Sequence, residues 1–117
     1  MFYFLIMIIV ILRERFKNMK PKILLIDDIK YEPNATDIAR TFGEGIHCLI
    51  AGRPWDILIL DHDLGEDRTG YDIAKFLLEN PKYAPKEIYC CSFNPVGRKN
   101  IEALIPKIME RKEADGY

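Results

Sequence analysis

Ile23-Leu24-Leu25-Ile26-Asp27-Asp28 and Ile57-Leu58-Ile59-Leu60-Asp61 are the two stretches that decide the fold. Each is a short unbroken aliphatic run that ends in acid. Such a run reads as a strand buried on both faces of a parallel sheet, and the acid marks where its carboxyl end reaches solvent. Ile88-Tyr89-Cys90-Cys91, followed by Ser92, repeats the pattern more weakly. The segments between have helical ends. Thr69-Gly70-Tyr71-Asp72 forms a capping box that opens a helix running to about Asn80-Pro81, with Ile73, Phe76 and Leu77 on one face. Thr41-Phe42-Gly43-Glu44 opens a shorter helix whose expected apolar stripe is Ile46, Leu49 and Ile50, with Gly52 at its end. Asn94-Pro95 supplies a cap and a first-turn proline before Ile101, Leu104, Ile105 and Ile108, and Pro106 is expected to kink or restart that last helix. Asp37 to Arg40 reads as a weak second strand, reached from the first through a loop without a helix.

Strands alternating with helices predict a three-layer α/β fold, a flavodoxin-like sheet of about four mostly parallel strands covered on both faces. The 117 residues suffice for one such core and not for two. Seventeen Lys+Arg against eighteen Asp+Glu leave a net charge of -1, so duplex DNA binding through overall positive charge is not expected. Cys48, Cys90 and Cys91 form no CxxC pair, and His47 and His62 lack zinc-ligand spacing. This usage reads as reduced thiols in a cytoplasmic chain, with His47 structural or exposed on its helix.

Met1 to Leu12 is an unbroken apolar run followed by the basic flank Arg13 to Lys20. As a helix it rises about 18 Å, against roughly 30 Å of bilayer hydrocarbon, so it is too short for an ordinary span. It lacks the charge order and cleavage site of a secretory signal. Residues 1–18 are thus an N-terminal extension and 19–117 the domain. Three readings of the extension stay open: weak membrane contact through 1–12, packing on the domain, or sequence upstream of a natural start at Met19.

In parallel α/β sheets the ligand site lies beyond the carboxyl ends of the strands, where this chain carries Asp27, Asp28, Asp61, Asp63, Ser92 and Asn94. Carboxylates gathered from two strand ends need a cation, and oxygen-only donors suit Mg2+. The start of the last helix, Asn94 to Gly97 with Arg98 and Lys99, offers amides and positive charge to a phosphate group. Ser92 can donate to a phosphoryl oxygen. His62 is a candidate proton carrier, although strand alternation would turn it away from the face of Asp61 and Asp63.

Ile26-Asp27-Asp28, the strand-end Asp61 and Ser92 resemble the response-regulator receiver domain. The strings Leu60-Asp61-His62-Asp63-Leu64-Gly65, Thr69-Gly70-Tyr71-Asp72 and Ser92-Phe93-Asn94-Pro95-Val96-Gly97-Arg98-Lys99-Asn100 resemble more closely the cyclic-phosphate processing receiver domain. The likeness covers about Pro21 to Ile108. It implies Mg2+ held by Asp27, Asp28 and Asp61, a phosphoacceptor role for Asp61, and contact from Ser92. The fifth strand of ordinary receivers and its lysine are missing, and Cys91 stands where the closer family is expected to have His. The resemblance implies a cyclic phosphate ester, such as a nucleotide or RNA end, as ligand. Three functions follow: metal-dependent phosphoesterase with Asp61, His62, Asp63 and Ser92 as catalytic residues; a signalling module phosphorylated on Asp61 and read by a protein partner; or a sensor of phosphorylated ligands without turnover.

Overall fold

The two aliphatic runs form the centre of the sheet. In the computed structural model, which describes residues 20–117 together with Met7, Ile8 and Val10, β1 is Ile23–Ile26 and β3 is Ile57–Leu60, and every residue of both is buried. β2 (Asp37–Ala39) and β4 (Glu87–Cys90) flank them, giving the all-parallel order β2-β1-β3-β4. No fifth strand occurs among the described residues. The registers Ile26 with Leu60 and Leu60 with Cys90 bring the carboxyl ends level, so Asp27, Asp61 and Cys91 leave the sheet side by side. β4 starts and ends one residue earlier than the apolar run suggests. At the edge its residues alternate, with Ile88 and Cys90 buried and Glu87 and Tyr89 half-buried.

The helices are α1 (Phe42–Ala51), α2 (Gly70–Glu79) and α3 (Pro95–Ala114), with a 3-10 turn at Pro81–Tyr83. Their starts obey the sequence. The Thr41 hydroxyl accepts from the Glu44 amide at 3.1 Å, while Thr69 and Asp72 complete a reciprocal capping box. Asn94 caps α3 by accepting from the Gly97 amide at 3.0 Å. Two expectations are corrected. The inward face of α1 is Gly45 and Leu49, with Ile46 partly buried against the core as expected, whereas Ile50, one position beyond Leu49 and so about 100° further round, is exposed. α3 runs through Pro106 without restarting, because that residue lies on the exposed side, where water can satisfy the carbonyl it leaves unbonded.

Helices α1, α2 and α3 cover one face of the sheet. Leu49, Ile73, Leu77, Ile101, Leu104 and Ile108 pack there on Leu24, Ile26, Leu58, Leu60, Ile88 and Cys90. The opposite face, formed by Ile23, Leu25, Ile57, Ile59 and Cys91, receives Ile8, which is 5% exposed and belongs to a stretch with helical backbone at Met7, Ile8 and Val10. Direct passage from β1 to β2 through residues 27–36, with no helix between them, explains why this face draws cover from upstream of β1. Of the three readings of the apolar run, Ile8 agrees with packing on the domain. The rest of that run and the boundary near residue 18 lie outside the described residues. No helix among the described residues is long and apolar enough to cross a membrane.

Candidate functional site

At the carboxyl end of β1, Asp27 turns the chain. Its Oδ1 accepts from the Ile29 and Lys30 amides at 2.9 and 3.0 Å, closing a local turn. Its Oδ2 faces the Lys30 ammonium at 3.1 Å. Asp61, one strand over, lies 3.7 Å from the same ammonium through its own Oδ2. Asp28 completes the group: one carboxylate oxygen from each of Asp27, Asp28 and Asp61 lies within 4.8 Å of the others. The cluster anticipated from the strand ends is therefore formed by these three acids, while Asp63 turns outward and stays two-thirds exposed.

The loop that follows Asp61 is held by two glycines. Gly65 has a φ of +70°, and a Cβ there would come within 3.0 Å of Asp28 Oδ2, so the position favours glycine on both counts. Gly70, the first residue of α2, lies directly on the backbone of Asp61 and His62. A Cβ on it would sit 2.8 Å from the Asp61 carbonyl carbon and 3.1 Å from His62 Cα. The Gly70 amide donates to the His62 carbonyl at 2.8 Å, which joins strand end to helix start.

Burial raises the pKa of Asp61 above the ordinary carboxylate value, and the neighbouring Asp27 charge adds to this. Lys30, the His62 amide and the Ser92 hydroxyl oppose the shift by stabilising the anion. In Lys30 the balance is reversed: burial lowers its pKa, but hydrogen bonding and charge from Asp27, with the charge of Asp61, outweigh burial and leave it raised. The folded state therefore holds the Asp61 proton more tightly than the unfolded chain does. Stability contributed by this residue falls as pH rises from the ordinary carboxylate value through the raised one, and the cost is complete above it. Asp61→Asn is accordingly expected to raise the melting temperature of the metal-free protein by several degrees at pH 7 and by little at pH 4. An unchanged or lower melting temperature at pH 7 would refute this reading.

His62 and Asp63 form a second pair, with Nδ1 3.0 Å from the Asp63 carboxylate. The imidazole lies against Gly97 of α3, where a Cβ would come within 2.7 Å of Nδ1 and 2.6 Å of Cδ2. Ser92, buried at the end of β4, is hydrogen-bonded to Asp61 and accepts from the Asn94 amide at 3.0 Å. Ser92, Asn94 and Gly97 thus stand beside Asp61 and His62. The Gly97 amide is spent on the Asn94 cap rather than presented outward. Arg98 pairs with Glu102 at 3.8 Å and Lys99 lies exposed on the helix.

Cys91 is fully buried among Ile8, Ile23, Leu25, Ile57 and Ile59, and burial pushes its thiol up to about 12. It is a core hydrophobe beneath the acids. Cys90 faces the helices, its thiol pushed up by burial to about 11, and all three cysteines are free. His47 is exposed. Lys30 escaped the sequence reading. Its three-residue spacing from Asp27, across a turn that the aspartate itself closes, was the available signal.

An all-parallel sheet with acids at the ends of β1 and β3 and a hydroxyl after β4 defines a receiver-like α/β domain. Residues 22–107 match the family model of the cyclic-phosphate processing Receiver domain, and the chain belongs to that family. No curated protein and no solved structure matches it.

Proposed function

We propose that this domain binds Mg2+ through Asp27, Asp28 and Asp61 and acts there on a cyclic phosphate ester, on a nucleotide or an RNA end. The observation that carries the reading is the convergence of three carboxylates and one ammonium at the strand ends. These charges sum to minus two, and the donors are all oxygen, which suits a hard divalent cation. The metal would supply charge neutralisation for the phosphoryl oxygens. The family's description supports the substrate class.

In this reading Asp61 attacks phosphorus, and the bond from phosphorus to one ring oxygen of the ester breaks as the new Asp61 oxygen–phosphorus bond forms. The leaving oxygen takes its proton from His62, which Asp63 and the face of Gly97 hold in position. Water then cleaves the acyl phosphate, releasing a phosphomonoester and restoring the carboxylate. Ser92 donates to a phosphoryl oxygen throughout. Incubation of the full chain with magnesium and 2′,3′-cyclic nucleotides is expected to yield the monoester, with turnover reduced about a hundredfold or more in Asp61→Asn. Turnover unaffected by that substitution would remove Asp61 as nucleophile.

One observation favours a signalling role as the second reading: a buried, hydrogen-bonded Asp61 beside Lys30 and Ser92 is equally suited to hold a lasting phosphoryl group. A small phosphodonor would then label Asp61 with an alkali- and hydroxylamine-labile phosphate, while cyclic nucleotides remain intact, and a protein partner would read the change. The free, buried thiols fit a cytoplasmic setting for either role.

A further inference from the structure

We propose that Lys30, supplied by the loop between β1 and β2, is the residue that meets the phosphoryl oxygens at this site. The inference rests on the phosphate-binding reading above and adds to it a contact residue. Ordinary receivers place a lysine at the end of a fifth strand, which the described residues lack. Here the Lys30 ammonium reaches both acids from the other side, 3.1 Å from Asp27 Oδ2 and 3.7 Å from Asp61 Oδ2.

Its backbone is fixed independently of its side chain. Asp27 Oδ1 holds the Lys30 amide, and the Arg40 guanidinium donates to the carbonyls of both Asp27 and Lys30. The loop is thereby tied to the end of β2. The ammonium also stands 5.6 Å from the ring centre of Phe93, the residue between Ser92 and Asn94. It is consequently close both to the nucleophile proposed above and to the segment proposed to bind the phosphate.

If Asp27 held a divalent cation, the Lys30 ammonium would have to share that carboxylate with a like charge; a phosphoryl oxygen on the Asp61 side would then offer it a replacement acceptor while its backbone stays in place. Charge-assisted contacts of this kind are strong enough to dominate the affinity of a small anion.

The test uses inorganic phosphate as the probe and the full chain in saturating magnesium, with affinity read by calorimetry. Lys30→Met is expected to weaken phosphate binding about tenfold or more and Lys30→Arg less than about threefold, since Arg retains the charge. Metal affinity, titrated without phosphate, is expected to rise in Lys30→Met because a competing cation has gone. Equal phosphate affinity in Lys30→Met and the unmutated chain would overturn the Lys30 contact while leaving the site intact. If the unmutated chain binds no phosphate in magnesium, the proposed function fails and the contact fails with it. A second measurement needs no variant: with 13C-labelled lysine, the Lys30 ε-methylene signal is expected to shift on adding phosphate in magnesium. A fixed signal under conditions where phosphate binds would also overturn the contact.

Discussion

Gly70→Ala is expected to be among the most damaging single-methyl additions in this chain. The added carbon would fall on the Asp61 carbonyl group, and neither strand β3 nor helix α2 can retreat without breaking the bond from the Gly70 amide to the His62 carbonyl. Overpacking against backbone has no side chain to absorb it, so the cost should be about 3 kcal/mol or more. For a domain of this size that corresponds to a fall in melting temperature of about 10 °C or more. Gly43→Ala is the matched control, since a methyl there meets nothing within 4 Å. It should leave the melt unchanged or raise it slightly. Equal melting temperatures for the two variants would show that α2 does not rest on the Asp61 backbone as described. The same close contact explains how α2 serves the site without contributing an acid: it fixes the carbonyl side of the residue whose carboxylate is proposed to react.

Replacement of Ile8 by Asp should be comparably severe, for a different reason. Ile8 covers Ile23, Leu25, Ile57 and Ile59, so a carboxylate there would be placed against an apolar face with no cation described in that cluster. Burying such a charge without a partner costs several kcal/mol, and the chain escapes the cost only by lifting the segment off the sheet. A lowered melting temperature together with binding of a hydrophobic dye is the expected outcome. Val10→Asp, at a position 53% exposed, should change neither. If Ile8→Asp melted like Val10→Asp, that face of the sheet would have to be protected without Ile8. Because of this contact, assays of the domain belong on the full chain rather than on a fragment starting near Lys20.

Those features that depend on near neighbours in sequence were legible in advance. Four consecutive aliphatic residues ending in Asp could hardly be anything but a central parallel strand, and Thr69 with Asp72 announced the start of α2. Asp27, Asp28, Asp61 and Ser92 followed from the rule that such sheets bind ligands at their strand ends. Contacts between segments were less accessible. That all three helices would lie on one face follows from the absence of a helix after β1, and single-residue patterns do not encode which side a helix takes. On α1 the expected stripe holds at Ile46 and Leu49 and fails at Ile50, because Gly45, which looks like a weak helix residue, also belongs to the inward face. Lys30 is set apart from other loop lysines only by the Asp27 turn, which brings it back over two acids. The roles of Gly70 and Gly97 depend on where other backbones pass, which no local pattern records.

The order of synthesis turns the cover over the second sheet face into a timing problem. Ile8 leaves the ribosome about fifty residues before Ile57 and Ile59, the β3 residues against which it will rest. At translation rates of about 5–20 residues per second, its binding surface is incomplete for several seconds. During that interval an apolar stretch must remain unpaired, bind a chaperone, or find another hydrophobic surface. A chain that covers its sheet with a segment made well before β3 therefore makes its solubility during synthesis depend on how quickly β3 joins β1.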